Sequence, residues 1–140
     1  MKKLVYLISP NKIYDNFYND LKKVLSARNV KFFQLRLKKE RKIKIIKIAK
    51  EIRKITKKYK VNFIINDHPD IAKTIKADGY HLGQKDYSAK NTKKHLKKKI
   101  IGITCHNSKS LAKTAIKNKA DYLAFGSFNR SKLKPYAKKA

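Results

Sequence analysis

Short apolar clusters alternate along the chain with longer stretches in which apolar side chains recur at helical spacing. Leu4 to Ile8 predicts a first strand, and Phe17, Tyr18, Leu21, Val24 and Leu25 then predict a helix. Val30 to Leu35 is the second predicted strand. From Glu40 to Tyr59 the spacing predicts a long helix, with Ile45, Ile48, Ile52, Ile55 and Tyr59 on one stripe and lysines elsewhere. Val61 to Ile65 predicts a third strand, and Pro69 suits the first turn of a helix carrying Ile71, Ala72 and Ile75. Gly79 to Leu82 is a short fourth strand, after which Ser88 caps a predicted fourth helix reaching Leu96. Ile100 to Thr104 is the fifth strand. Ser108 opens a fifth helix bearing Leu111, Ala112, Ala115 and Ile116, and Tyr122 to Phe125 is the sixth strand. A polar, basic tail follows Gly126.

Strands alternating with helices predict right-handed βαβ units and a parallel sheet, and strands apolar throughout suit burial on both faces. No linker or low-complexity tract interrupts the series, so a single domain over residues 1–140 is expected. An open doubly wound sheet is the competing α/β arrangement. Against it, the first strand runs into Ser9-Pro10-Asn11 and lacks a glycine-rich phosphate turn. Such a sheet would place the first strand in its middle.

Composition changes this picture in one respect. The chain carries 38 Lys+Arg against 9 Asp+Glu, a formal charge of +29, with 41% hydrophobic residues to build a core. The charge invites a nucleic-acid reading, but 33 of the basic residues are Lys and 5 are Arg. Sequence-reading sites favour the bidentate guanidinium. The lysines are spread over the whole chain, and Lys, Asn and Ile make up 59 of its 140 residues, a skew that looks like AT-rich coding. No specific nucleic-acid partner is expected, only weak, salt-dependent attraction to polyanions. No apolar run approaches the ~20 residues of a membrane helix. The apolar start stops at Pro10 without a small-residue cleavage site, unlike a secretory signal. A single cysteine, Cys105, excludes an internal disulfide framework and reads as a small buried filler. A soluble, cytoplasmic protein without a membrane partner is expected, with self-association left open.

The informative polar residues fall at or just past predicted strand ends: Gln34, Arg36 and Lys38; Asn66, Asp67 and His68; His81, Gly83, Gln84 and Asp86; Thr104, Cys105 and His106; Gly126, Ser127, Ser131, Lys132 and Lys134. Parallel sheets place chemistry at these carboxyl ends. With only 9 acids in the chain, Asp67 and Asp86 at two such ends stand out. Two carboxylates with cationic side chains from other loops describe a Mg²⁺–diphosphate site, since Mg²⁺ takes one or two carboxylates plus phosphate oxygens. Arg36, Lys38 and Lys134 would neutralise the remaining phosphate charge. The bland alternatives are that Asp67 caps the helix begun by Pro69 and that His81 is a packed, hydrogen-bonded core histidine.

The runs Gln34-Leu35-Arg36-Leu37-Lys38, Ile65-Asn66-Asp67, Asp78 to Asp86, Gly102-Ile103-Thr104-Cys105-His106 and Ala120 to Gly126 occur in that order. Together they resemble the thiamine-phosphate synthase family, over nearly the whole chain. The resemblance implies a TIM-type (β/α)8 barrel, here incomplete, with six parallel strands, five outer helices and the last two βα units lacking. It implies transfer of an aminopyrimidine-methyl group from its diphosphate to a thiazole phosphate, giving thiamine phosphate and pyrophosphate. Asp67 and Asp86 would hold Mg²⁺, the implied cofactor. Arg36, Lys38, Asn66 and Lys134 would hold the diphosphate, and Gln34 would help seat the pyrimidine. Thr104 stands where the family often has a serine touching this substrate. After the sixth strand, Ser131 can replace one of two family threonine hydroxyls and Leu133 cannot replace the other. A thiazole tautomerase-like paralogue and a non-catalytic remnant are the competing readings; retention of both aspartates with Arg36 and Lys38 favours the transferase. A chain without the phosphate-binding loops after strands seven and eight is expected to be a poor catalyst.

Overall fold

The computed structural model describes residues 3–27, 29–84 and 98–128. Its elements, in chain order, are β1 (Val5–Ile8), α1 (Phe17–Leu25), β2 (Val30–Leu35), α2 (Lys42–Lys58), β3 (Asn62–Asn66), α3 (Pro69–Thr74), β4 (Gly79–Leu82), β5 (Ile100–His106), α4 (Lys109–Lys117) and β6 (Tyr122–Phe125). The strands follow the order β1-β2-β3-β4-β5-β6, so β1 lies at an edge and the doubly wound alternative is excluded. The order is that of a (β/α)8 barrel with six strands present. The helix predicted over 88–96 lies outside the described residues, as does the tail from residue 129 on.

The chain packs as two compact units, residues 1–80 and 81–140. In the first, β1 pairs in parallel with β2, and β2 with β3, in the register Phe33↔Phe63 and Leu35↔Ile65. Phe63, Ile64 and Ile65 are fully buried, as parallel-sheet strands covered on both faces should be. Helix α1 buries Phe17, Leu21 and Leu25, one residue per turn, and α2 buries Ile45, Ala49, Ile52, Ile55 and Thr56. Ala49 and Thr56 thus join the predicted isoleucine stripe, while Ile43 faces outward at 81% exposure. In the second unit, β5 pairs in parallel with β6, and Ser108 caps α4 by accepting a hydrogen bond from the Leu111 N–H at 3.2 Å.

Three helix ends share one construction. After α2, α3 and α4 the chain passes through Lys60, Lys76 and Lys119, at φ 55°, 53° and 62°. The N–H of each returns to the carbonyl three residues back (Lys57, Lys73 and Ile116). The following N–H, of Val61, Ala77 and Ala120, returns five back to Thr56, Ala72 and Ala115. This is the left-handed helix stop that usually takes glycine. It also explains one boundary: Val61 is committed to closing α2, so β3 starts at Asn62 rather than at Val61.

The amino ends of β4 and β6 repeat a second device. Asp78 donates its N–H to the Phe63 carbonyl at 2.9 Å, and its Oδ2 accepts the Phe63 N–H at 2.7 Å. Asp121 does the same with Ile101, at 2.8 Å for each bond. Asp78 also receives a two-pronged contact from Arg53 of α2, at 2.6 and 3.0 Å. Each carboxylate ties the first residues of one strand to its neighbour.

Candidate functional site

In the first unit a continuous polar string crosses β1 and β2 and ends at the carboxyl end of β3. Tyr6 donates its hydroxyl to Gln34 Oε1 at 3.1 Å, and Gln34 Nε2 donates to Asn66 Oδ1 at 2.6 Å. Gln34 and Asn66 are buried, and Tyr6 stacks on Phe32 with centroids 5.4 Å apart. Burial makes these bonds obligatory: an unpaired amide there would cost about 1–3 kcal/mol. The string also sets direction. With Oε1 taken by Tyr6, Gln34 points its NH₂ at Asn66, whose own NH₂, among the described residues, is left for a further acceptor.

Arg36 follows directly. Its backbone N–H donates to Ser9 Oγ at 2.9 Å, and Nη1 reaches Asn11 Oδ1 at 3.3 Å. Among the described residues the other guanidinium donors meet no acceptor, which leaves them for an anion. Lys38 lies 3.5 Å from Asp67 Oδ2. Such a pair, with the lysine half exposed, contributes about 0–1 kcal/mol, so either partner can turn to a ligand at little cost. Asp67 adopts φ 62°, a conformation aspartate tolerates better than most residues. It is not the helix cap: the residue before α3 is His68, whose side chain makes no capping bond.

In the second unit the carboxyl ends of β4 and β5 converge on Thr104. His81, buried, contacts Thr104 Oγ1 through Nε2 at 2.8 Å and the Tyr122 hydroxyl through Nδ1 at 3.0 Å. Gln84 Nε2 donates to the Thr104 carbonyl. Cys105 is fully buried beside them, and burial pushes its thiol above the ordinary range, so it stays protonated at neutral pH. His106 at φ 52° lends its carbonyl to the Gly126 N–H at 3.1 Å.

The site residues read from sequence therefore fall into three groups. Gln34 with Asn66, and Lys38 with Asp67, are in contact, and Arg36 lies on the same strand end. Thr104 sits in the second unit, held at its hydroxyl and its carbonyl. Asp86, Ser131 and Lys134 lie outside the described residues. Tyr6 and Tyr122 were missed as parts of these strings, because a tyrosine inside an apolar strand reads as core. The one available signal was their place on strands with polar residues at matching depth on the neighbouring strand. Among the described residues no cluster of three or more His, Cys, Asp or Glu could hold a metal unaided. No helix there is long and apolar enough to cross a membrane.

Comparison with known proteins fits this arrangement. A family model described as thiamine monophosphate synthase matches residues 5–140. The chain is 60% identical over 134 residues to the thiamine-phosphate synthase of Pelagibacter ubique, covering 95% of this chain and 65% of that one. It is 39% identical over 127 residues to the thiamine-phosphate synthase of Erythrobacter litoralis, covering 89% and 60%. Among solved structures, a thiamine phosphate pyrophosphorylase from Pyrococcus furiosus superposes with a TM-score of 0.79 at 29% identity, covering 91% of this chain and 61% of that one. The chain spans less than two thirds of the length of each of these three.

Proposed function

Because the chain belongs to the thiamine monophosphate synthase family, we propose that it binds an aminopyrimidine-methyl diphosphate for transfer to a thiazole phosphate, releasing pyrophosphate and giving thiamine phosphate. The observation that carries this reading is the carboxyl end of the first unit. There, among the described residues, Asn66 keeps an amide donor, Arg36 keeps most of its fork, and Asp67 and Lys38 are only loosely paired.

The donor set suits Mg²⁺ on chemical grounds. Asp67 offers a partly buried carboxylate whose ion pair is long, and Mg²⁺ at such sites uses one or two carboxylates with phosphate oxygens filling the rest. Asp67 would hold the ion together with Asp86, and a bound Mg²⁺ supplies charge neutralisation of the diphosphate. Arg36 and Lys38 bind the diphosphate oxygens and stabilise the charge that grows as the carbon–oxygen bond breaks. Asn66 donates to an oxygen of the same group, and Gln34 fixes the face on which the pyrimidine rests. Thr104 adds a hydroxyl, and Ser131 and Lys134 contribute from the segment after β6. No side chain is asked to act as acid or base, because the electron-rich aminopyrimidine stabilises the developing cation. The cytoplasm is the compartment this reading requires.

The test is calorimetric titration of the chain with inorganic pyrophosphate, with and without Mg²⁺. Saturable binding that requires Mg²⁺ and falls at least about tenfold in Arg36→Ala and in Asp67→Asn is expected, a charge-assisted contact being worth about 1.5–3 kcal/mol. Binding unaffected by both substitutions would refute the site.

A further inference from the structure

Thr104 is held more firmly than a residue that only contacts ligand needs to be. Gln84 grips its carbonyl, His81 grips its hydroxyl, and His81 is itself gripped by Tyr122. The reach of Tyr122 depends on one residue. Tyr122 pairs with Gly102 in the β5–β6 register, and its ring lies directly over that glycine: a Cβ at position 102 would land on the ring carbons and hydroxyl. The bare backbone of β5 lets a β6 side chain cross to His81 on β4 and stack there, with ring centroids 5.6 Å apart. Packing alone explains a tyrosine on a strand. It does not explain a glycine kept clear beneath the ring, or a hydroxyl placed 3.0 Å from an imidazole nitrogen.

We propose that Tyr122, acting through His81, is a positioning residue that presets the Thr104 hydroxyl as a hydrogen-bond donor to an anionic diphosphate oxygen. The inference rests on the diphosphate reading above. A phenol is a better proton donor than a neutral imidazole, so the Tyr122 O–H donates to Nδ1 and leaves the imidazole proton on Nε2. Nε2–H then donates to Thr104 Oγ1. With a lone pair so occupied, the threonine's own proton turns away from His81 and is free to be donated to a ligand. The opposite tautomer would make Thr104 donate to His81 and offer a lone pair outward, which an anion repels. Tyr122 thereby selects an anionic ligand over a neutral donor without touching it.

Two measurements on the full 140-residue chain test this. Nitrogen-15 spectra of the wild-type protein should show His81 protonated on Nε2 and bare on Nδ1; an Nδ1-protonated His81 overturns the inference. In pyrophosphate titrations with Mg²⁺, Tyr122→Phe, which keeps the ring, should weaken binding roughly 3–10-fold, and Thr104→Val by about as much, the range of one hydrogen bond. Thr104→Ser should restore affinity. The decisive result is the double variant: Tyr122→Phe with Thr104→Val should bind no worse than Thr104→Val alone, because one change acts through the other. Additive losses would overturn the inference. Failure of the wild-type chain to bind pyrophosphate would instead remove the diphosphate reading beneath it, a result distinct from binding with the wrong tautomer or with additive losses.

Discussion

Aspartates stand at both ends of the strands, and the two ends treat them differently. At the amino ends, Asp78 and Asp121 are each locked by two backbone bonds to the neighbouring strand, and Asp78 adds the fork of Arg53. At the carboxyl end of β3, Asp67 has one long ion pair and a left-handed backbone. The same side chain is a rivet in one place and an unspent ligand in the other. Left-handed residues divide the same way. Lys60, Lys76 and Lys119 sit in loops leading to strand amino ends, whereas Asp67 and His106 sit where strands finish. Conservative chemistry at one end and available chemistry at the other is the usual division of labour in parallel α/β folds.

The largest expected effect comes from removing the best-anchored carboxylate. Asp78→Ala should destabilise the protein by about 2–3 kcal/mol in urea unfolding, because it strands Arg53 and the Phe63 N–H together. Among the described residues no arginine meets Asp121, so Asp121→Ala should cost about 1 kcal/mol. Equal losses would show that Arg53 contributes nothing.

Next come the lysine helix stops. A non-glycine residue in this conformation costs about 1–2 kcal/mol, and glycine returns about 0.5–1 kcal/mol of that through its greater freedom when unfolded. Lys60→Gly, Lys76→Gly and Lys119→Gly should therefore each stabilise by about 0.5 kcal/mol, and the triple variant by about 1.5 kcal/mol, with pyrophosphate affinity unchanged. A loss of stability would mean that the lysine charge at the helix end outweighs the backbone strain.

Asp67→Asn sharpens the contrast from the other side. Asparagine accepts the left-handed backbone at least as well, so unfolding free energy should move by no more than about 0.5 kcal/mol while Mg²⁺-dependent binding is lost. A large destabilisation would make Asp67 another rivet.

The smallest effect is acidic. Burial pushes the Asp70 carboxyl up, but the Lys42 ammonium at 2.7 Å and the Ile71 N–H outweigh it and hold the group below its ordinary 3.8. A depressed carboxylate contributes stability that is complete above the unfolded value and is lost as pH falls through the lower folded one. Lys42→Met should therefore reduce the acid dependence of unfolding only below about pH 4, by less than about 1 kcal/mol, because the pair is exposed.

The element order was readable in the residues themselves. Short apolar runs alternating with helix-period stripes specify βαβ units, because local propensity and burial periodicity are properties of neighbouring residues. Pro69 and Ser108 marked helix starts for the same local reason. The positions of Gln34, Arg36, Asn66 and Asp67 at or just past the carboxyl ends of β2 and β3 followed from that order, whereas Thr104, expected to close the fifth strand, lies inside β5, which the structure carries on to His106. What only the tertiary structure decided is pairing across strands. That Asp78 and Asp121 are rivets, that Tyr6 aims Gln34 at Asn66, and that Gly102 clears a path from Tyr122 to His81 all depend on register between strands at least 15 residues apart in sequence. Register is set by the packing of whole faces. No window of the sequence contains it, and polar side chains inside such a register are bonded or available only after the strands have met.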